Sequence, residues 1–219
     1  MTDAIALPSR ARLWTEFLTL FIGVPILMAA TLGLYPLFPV IIALCGVACI
    51  LLQLTPGWEW KMLRRGPVLG EWRIILIYFV LTLATSCAFV FALVPGQFLS
   101  FPLYRPELWI VVMLAYPIAS ALTQEIIYRS LFFERYERLF PGQWAAILAN
   151  GFVFGFGHLF YDNWVTIAMT GAGGAIMGWA YLRHRSVGLA WVLHALAGQI
   201  IFTVGLGVYF YHGAIGSAP

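Results

Sequence analysis

The chain has 219 residues, of which 62% are hydrophobic and only 10% carry a charge. An ordinary soluble domain has about 25% charged residues, so this composition excludes a protein that is mostly surrounded by water. The net charge is only +3, and the cations that produce it flank apolar runs, so we expect a lipid bilayer and no nucleic acid as partner.

Long runs without Asp, Glu, Lys or Arg predict transmembrane helices, because lipid offers no hydrogen-bond partner to a bare backbone. The first run contains Tyr35-Pro36 and Phe38-Pro39, so we divide it into two helices. The runs lack the alternation of barrel strands. We predict an all-α polytopic bundle with about seven spans, near residues 13–34, 37–55, 72–94, 107–138, 143–160, 164–182 and 187–212.

The distribution of Lys and Arg predicts the orientation, because cytoplasmic loops are enriched in these residues. Only Arg105 falls on one side, and Arg129 lies within a predicted span. The other side holds Arg10, Arg12, Lys61, Arg64, Arg65, Arg73, Arg135, Arg138, Arg183 and Arg185. We therefore predict a cytoplasmic N-terminus and a C-terminus on the opposite side, and we expect a multi-pass protein of the bacterial inner (plasma) membrane.

Four ionisable residues lie deep within the predicted spans, away from their ends, namely Glu125, Arg129, His158 and His194. Such residues are costly in a bilayer unless they are paired or functional. Glu125 and Arg129 are spaced i, i+4, so they share a helix face and can form an ion pair. Two alternatives stay open: Glu125 only neutralises Arg129, or both side chains reach the cytoplasmic end of the helix.

Depth in the membrane gives a partial test of whether these residues meet. At about 1.5 Å per residue, Glu125 and His158 lie about 21 Å and 24 Å from the cytoplasmic helix ends, but His194 lies only about 12 Å in. Either a helix boundary is misplaced or the site is spread along the membrane normal. A single buried His is most often a packing residue, but two His and a carboxylate can bind zinc or activate water.

Three short motifs follow one another on successive predicted helices: QEIIYR at 124–129, FGFGH at 154–158, and His194 four residues before Gly198. In order and spacing they resemble the CPBP family of intramembrane proteases, which includes the type II CAAX prenyl proteases and bacterial Abi-type proteins. The family pattern is Glu-Glu-x-x-x-Arg, Phe-x-x-x-His and His-x-x-x-Asn. The resemblance covers roughly residues 105–212.

The resemblance implies a role for each matching residue. A carboxylate together with His158 would deprotonate water, and His194 would hold the water or the developing oxyanion. Arg129 would fix Glu125. Because neighbouring helical positions point about 100° apart, the helix must turn or bulge locally to aim Glu125 at His158.

Two positions depart from the family pattern. Gln124 stands where the family usually has its first Glu, and Gly198 stands where it usually has Asn. A Gln side chain cannot accept a proton at neutral pH, although it can donate a hydrogen bond to an oxyanion. A divalent metal such as zinc would be held by Glu125, His158 and His194, but two oxygen ligands are missing, and we expect no tightly bound metal.

The favoured function is an intramembrane endopeptidase that cleaves a membrane-anchored protein or peptide near its C-terminal anchor. One alternative is a catalytically impaired relative that binds peptides in processing or immunity. Another is a small transporter, since intramembrane ionisable residues also mark ion pathways. We see no inverted pair of interrupted helices to support it. We expect one membrane domain, with N-terminal helices over 1–104 and a protease core over 105–213.

Overall fold

The structure is a computed structural model that describes residues 8–31 and 37–210. The described residues contain no strand, so the predicted all-α class is confirmed. The long helices are α1 (Arg10–Ala30), α2 (Leu37–Gln53), α3 (Trp72–Leu93), α4 (Pro106–Leu139), α5 (Gln143–Phe156), α6 (Trp164–His184) and α7 (Val187–Val204). The connections include a short helix, Ser100–Tyr104, and 3₁₀ turns at Trp60–Arg64, Val68–Glu71, Pro95–Gln97, Leu159–Tyr161 and Leu206–Tyr209.

These helices have the length and composition of membrane spans. Among the described residues, six helical segments are long and apolar enough to cross a bilayer, and α2 is shorter at 17 residues. Since a span takes about 17 to 25 residues, α2 can also cross. The predicted polytopic bundle is confirmed, and the total of about seven spans stays a prediction.

The last helix ends earlier than the sequence suggested. The prediction of a helix over 187–212 is wrong over residues 205–210, because Gly205 adopts φ +116° and stops the helix at Val204. A Cβ atom at Gly205 would overlap the backbone of Gln97, so α7 ends in close contact with the loop that follows α3. Residues 211–219 lie outside the described part of the chain.

Helix α4 runs through the centre of the bundle, and α1 packs along its C-terminal half through aromatic rings. Phe17 and Phe21 of α1 contact Phe132 and Tyr136 of α4, with ring centroids 5.8 to 5.9 Å apart. On another side, α5 and α6 approach closely, because a Cβ at Gly151 would lie 2.8 Å from the carbonyl oxygen of Gly171. These contacts hold α1 against α4 and α5 against α6.

The cationic residues gather at one end of the bundle, where ion pairs connect distant segments. Arg135 of α4 is 4% exposed and pairs with Glu16 of α1 at 2.7 Å. Further pairs at this end join Arg183 to Glu71 at 2.8 Å and Arg185 to Glu137 at 2.6 Å. The segments predicted to lie on one side of the membrane therefore meet at one end of the structure.

We predict that this cationic end is cytoplasmic. Reporters fused after Arg65 or Arg185 should read as cytoplasmic, and a reporter at Pro219 should not. In a variant without the native cysteines, Ser100→Cys should react with an impermeant maleimide added to the outside of intact cells, whereas Lys61→Cys should react only after the membrane is opened. The reverse labelling pattern would contradict the assigned orientation.

Candidate functional site

The site begins with an unusual winding of α4. Two π-helical stretches, Pro117–Leu122 and Ile126–Tyr136, flank the single α-helical turn Thr123–Glu125. Short π-helical insertions are frequent at functional sites, because they change where successive side chains point. In this winding Gln124 lines a cavity, and the neighbouring Glu125 is fully buried among helices.

Three side chains from other helices complete the hydrogen bonding of α4. Pro117 has no N–H to donate to the carbonyl of Met113, and the side-chain Nε2 of Gln199 on α7 donates there instead, at 3.0 Å. Trp191 of α7 donates from Nε1 to the carbonyl of Pro117 at 2.6 Å. Carbonyl groups that the irregular winding would leave bare in lipid thus gain partners.

Asn150 provides the third such contact. This fully buried residue of α5 donates from Nδ2 to the carbonyl of Tyr128, within the second π-helical stretch, at 2.6 Å. The sequence motifs do not include Asn150, Trp191 or Gln199. A sequence feature that could have identified them is a hydrogen-bond donor within an apolar span. A neighbouring span that contains proline has backbone carbonyls in need of such a donor.

Glu125 lies at the centre of a buried charged cluster. Its Oε1 atom lies 2.7 Å from Nδ1 of His194 on α7, and its Oε2 atom lies 3.2 Å from Nε of Arg129. The exposed fractions are 0% for Glu125, 0% for Arg129 and 6% for His194. Because an ionised carboxylate only accepts hydrogen bonds, His194 donates from Nδ1, which leaves Nε2 free in the neutral ring.

Arg129 is enclosed by α5 and α6 as well as by Glu125. Its guanidinium carbon lies 4.5 Å from the ring centroid of Phe154, and Nη2 lies 3.3 Å from the sulfur of Met177. The aromatic face attracts the cation where water is absent. Arg129 thereby provides a fixed positive charge beside Glu125.

His158 occupies a different position from His194. It follows the end of α5, and its Nδ1 lies 2.7 Å from the carbonyl oxygen of Phe154. A carbonyl oxygen only accepts, so the proton sits on Nδ1 of the neutral ring and Nε2 is free. The ring of Phe154 contacts both imidazoles, with centroids 4.8 Å from His158 and 5.4 Å from His194.

The structure therefore pairs the predicted site residues differently from the expectation that Glu125 points at His158. Glu125 bonds to His194 rather than to His158, and Arg129 is its second partner. The sequence placed Glu125 and His194 at unequal depths in the membrane, but the two side chains are in contact in the structure. A π-helical turn holds more residues than an α-helical turn, so counting about 1.5 Å per residue overestimates the depth of Glu125.

A large cavity adjoins the cluster. Its volume is about 1240 Å³, and its walls come from α1, α2, α4, the end of α5 and the segment after α7. Glu125 is fully buried, and the 6% exposed His194 contacts the ring of Tyr116, which lines the cavity. The polar side chains that line it near the cluster include Tyr116, Ser120, Gln124 and His158.

Glu125, His158 and His194 are the residues that would bind a divalent metal ion. Within residues 8–31 and 37–210, no three His, Cys, Asp or Glu side chains converge on a possible metal position. The Nδ1 atoms of the two imidazoles are bonded to Glu125 and to a backbone carbonyl. These residues do not fit a three-ligand metal site.

The comparisons with known proteins agree with the motifs. Residues 105–200 match the family model described as type II CAAX prenyl endopeptidase Rce1-like. The predicted resemblance to the CAAX protease family is confirmed over these residues. No curated protein and no solved structure matches the chain. The matched segment contains Glu125, Arg129, His158 and His194.

The buried ion pair should be essential for stability. Replacing Arg129 by Ala leaves Glu125 buried without its cation, and removal of one partner of a buried pair costs about 3 to 5 kcal/mol. We expect Arg129→Ala to lower the unfolding temperature in detergent by many degrees, and Arg73→Ala, at an exposed position, to change it little. An Arg129→Ala protein as stable as the parent would contradict the pairing.

The Gln199 contact should also contribute to stability. Leu has nearly the same size as Gln but cannot donate to the carbonyl of Met113, so Gln199→Leu leaves that carbonyl unsatisfied at a cost of about 1 to 3 kcal/mol. Thermal unfolding should detect the loss. The matched control is Gln53→Leu, where the side chain is exposed; equal effects of the two substitutions would argue against our interpretation of α4.

Proposed function

We propose that the chain is an intramembrane endopeptidase that cleaves a membrane-anchored peptide near its C-terminal anchor. The observation that carries this proposal is the buried pair of Glu125 and His194, 2.7 Å apart, next to a cavity lined by His158. The match to type II CAAX prenyl endopeptidases supports the reaction class, which is hydrolysis of a peptide bond.

In the proposed mechanism an imidazole takes the proton from water. Glu125 holds Nδ1 of His194, which orients the ring and stabilises the imidazolium that forms. His158, with its own free Nε2, holds the water in the cavity. The water oxygen bonds to the peptide carbonyl carbon, and the proton held by His194 then passes to the departing amine.

Arg129 and Gln124 have supporting roles in this scheme. Arg129 holds the Glu125 side chain in place, so the carboxylate acts through His194 rather than directly on water. The amide of Gln124 donates one N–H to Oγ of Ser120 at 2.8 Å. Its second N–H can donate to the substrate carbonyl. At this position Gln124 therefore provides a hydrogen-bond donor where the family motif usually has a carboxylate.

The position of the cavity bears on which substrates can enter. Its wall includes Thr31, Arg105 and Val208, which lie at the ends of α1, α4 and α7 away from the cationic end. If the cationic end is cytoplasmic, the cavity lies in the outer half of the membrane. We infer that the substrate is a peptide anchored in the same bilayer and presented from the extracytoplasmic side.

A second candidate is a relative that binds anchored peptides without cleaving them. Gln124 favours it, because the family residue at this position is a carboxylate and Gln cannot accept a proton. Under this alternative the parent is inactive on every anchored peptide, and Gln124→Glu creates activity. An active parent excludes it.

The central test removes the charge of Glu125 and keeps its shape. Glu125→Gln should abolish cleavage of a membrane-anchored peptide by purified protein, because an amide cannot stabilise the His194 imidazolium. His158→Ala and His194→Ala should be comparably damaging, since residues of one catalytic unit are not additive. Mass spectrometry of the peptide products measures the cleavage.

The matched control is Glu107→Gln, the same substitution at an exposed position in the first turn of α4. This variant should cleave at the parent rate. Circular dichroism and size-exclusion chromatography establish that Glu125→Gln is folded. Full activity of a folded Glu125→Gln protein would refute the proposed mechanism.

A further inference from the structure

Tyr116 is a polar residue of the cavity that neither the motifs nor the mechanism above uses. It is half-buried on α4 directly before Pro117, and it lines the cavity together with His158 and Gln124. The edge-to-face contact of its ring with His194 has a centroid distance of 6.0 Å, and a second contact joins it to Phe202 at 5.6 Å. Tyr116 is therefore adjacent to the catalytic imidazole.

The ring of Tyr116 owes its position to Gly198. A Cβ atom at Gly198 would overlap the Tyr116 ring, including the carbon that carries the hydroxyl group. The ring thus occupies the space that any side chain at position 198 would need. The motif that this chain resembles usually has Asn at this position, whereas here the Tyr116 ring of α4 fills the space.

The hydroxyl group of Tyr116 is available for a ligand. Among residues 8–31 and 37–210, no protein group forms a hydrogen bond with it. A phenol O–H is a good donor, and a polar group in an apolar cavity gains most from a partner that carries charge. Groups of this kind, fixed before the reaction, stabilise the oxygen on which negative charge develops.

We propose that Tyr116 donates a hydrogen bond to the oxyanion formed when water attacks the peptide carbonyl, an inference that rests on the proposed function. As the water oxygen bonds to the carbonyl carbon, the π electron pair moves onto the carbonyl oxygen and the water proton goes to His194. Tyr116 keeps its own proton throughout. It is a catalytic residue in this step, and Gly198 is a positioning residue that leaves room for its ring.

The test replaces the hydroxyl group and keeps the ring. Tyr116→Phe should lower kcat for the anchored peptide by roughly 10²-fold and leave KM nearly unchanged, because the bond forms chiefly in the transition state. Its unfolding temperature should equal that of the parent. The control Tyr136→Phe, made at the cationic end of the same helix, should keep the parent kcat. Unchanged kcat in Tyr116→Phe would overturn the proposal.

A second measurement examines the contact with Gly198 without using activity. Gly198→Ala should lower the unfolding temperature of the parent, because its Cβ displaces the Tyr116 ring, but should not lower it in a Tyr116→Ala background. Equal lowering in both backgrounds would refute the positioning role of Gly198.

The outcomes separate this inference from the proposed function. If Glu125→Gln is inactive and Tyr116→Phe is fully active, only the role of Tyr116 fails. A parent protein that cleaves no anchored peptide removes both.

Discussion

The carboxylate of Glu125 is the group on which the rest of the site depends. It is fully buried in a chain that crosses lipid, where an unpaired charge is very costly. Arg129 at 3.2 Å and His194 at 2.7 Å provide its partners, and Phe154 packs on Arg129. The same arrangement that makes the charge tolerable also orients an imidazole next to the cavity, so stability and chemistry come from one set of contacts.

That arrangement requires a helix that is not regular. The π-helical stretches of α4 direct Glu125 towards α7 and leave Gln124 in the cavity wall. They also leave backbone carbonyls without a donor in the helix, and lipid offers no hydrogen bond to them. Trp191 and Gln199 on α7, together with Asn150 on α5, donate to those carbonyls. Helix α7 thus both carries His194 and satisfies the backbone of α4, which ties the position of the imidazole to that of the carboxylate.

The sequence predicted what depends on hydropathy and local spacing. Apolar runs predicted the helices, and the i, i+4 spacing predicted the contact of Glu125 with Arg129. The hydrogen bond between Glu125 and His194 could not be predicted. The depth of Glu125 in the membrane was estimated from the rise of an α-helix, and α4 is partly π-helical. The end of α7 at Val204 depends on the conformation of Gly205, and the Tyr116 contact with Gly198 depends on the packing of α4 against α7. The periodicity of apolar residues in the sequence does not predict such contacts between distant segments.

The central claim is that Glu125 and His194 act as one unit on water. The most direct measurement is the rate of cleavage of a membrane-anchored peptide by Glu125→Gln, by His194→Ala and by the double variant, each at saturating enzyme. The account predicts that the double variant is no slower than the slower single variant, because the second substitution removes a group that has already lost its partner. Independent, multiplying losses in the double variant would contradict it.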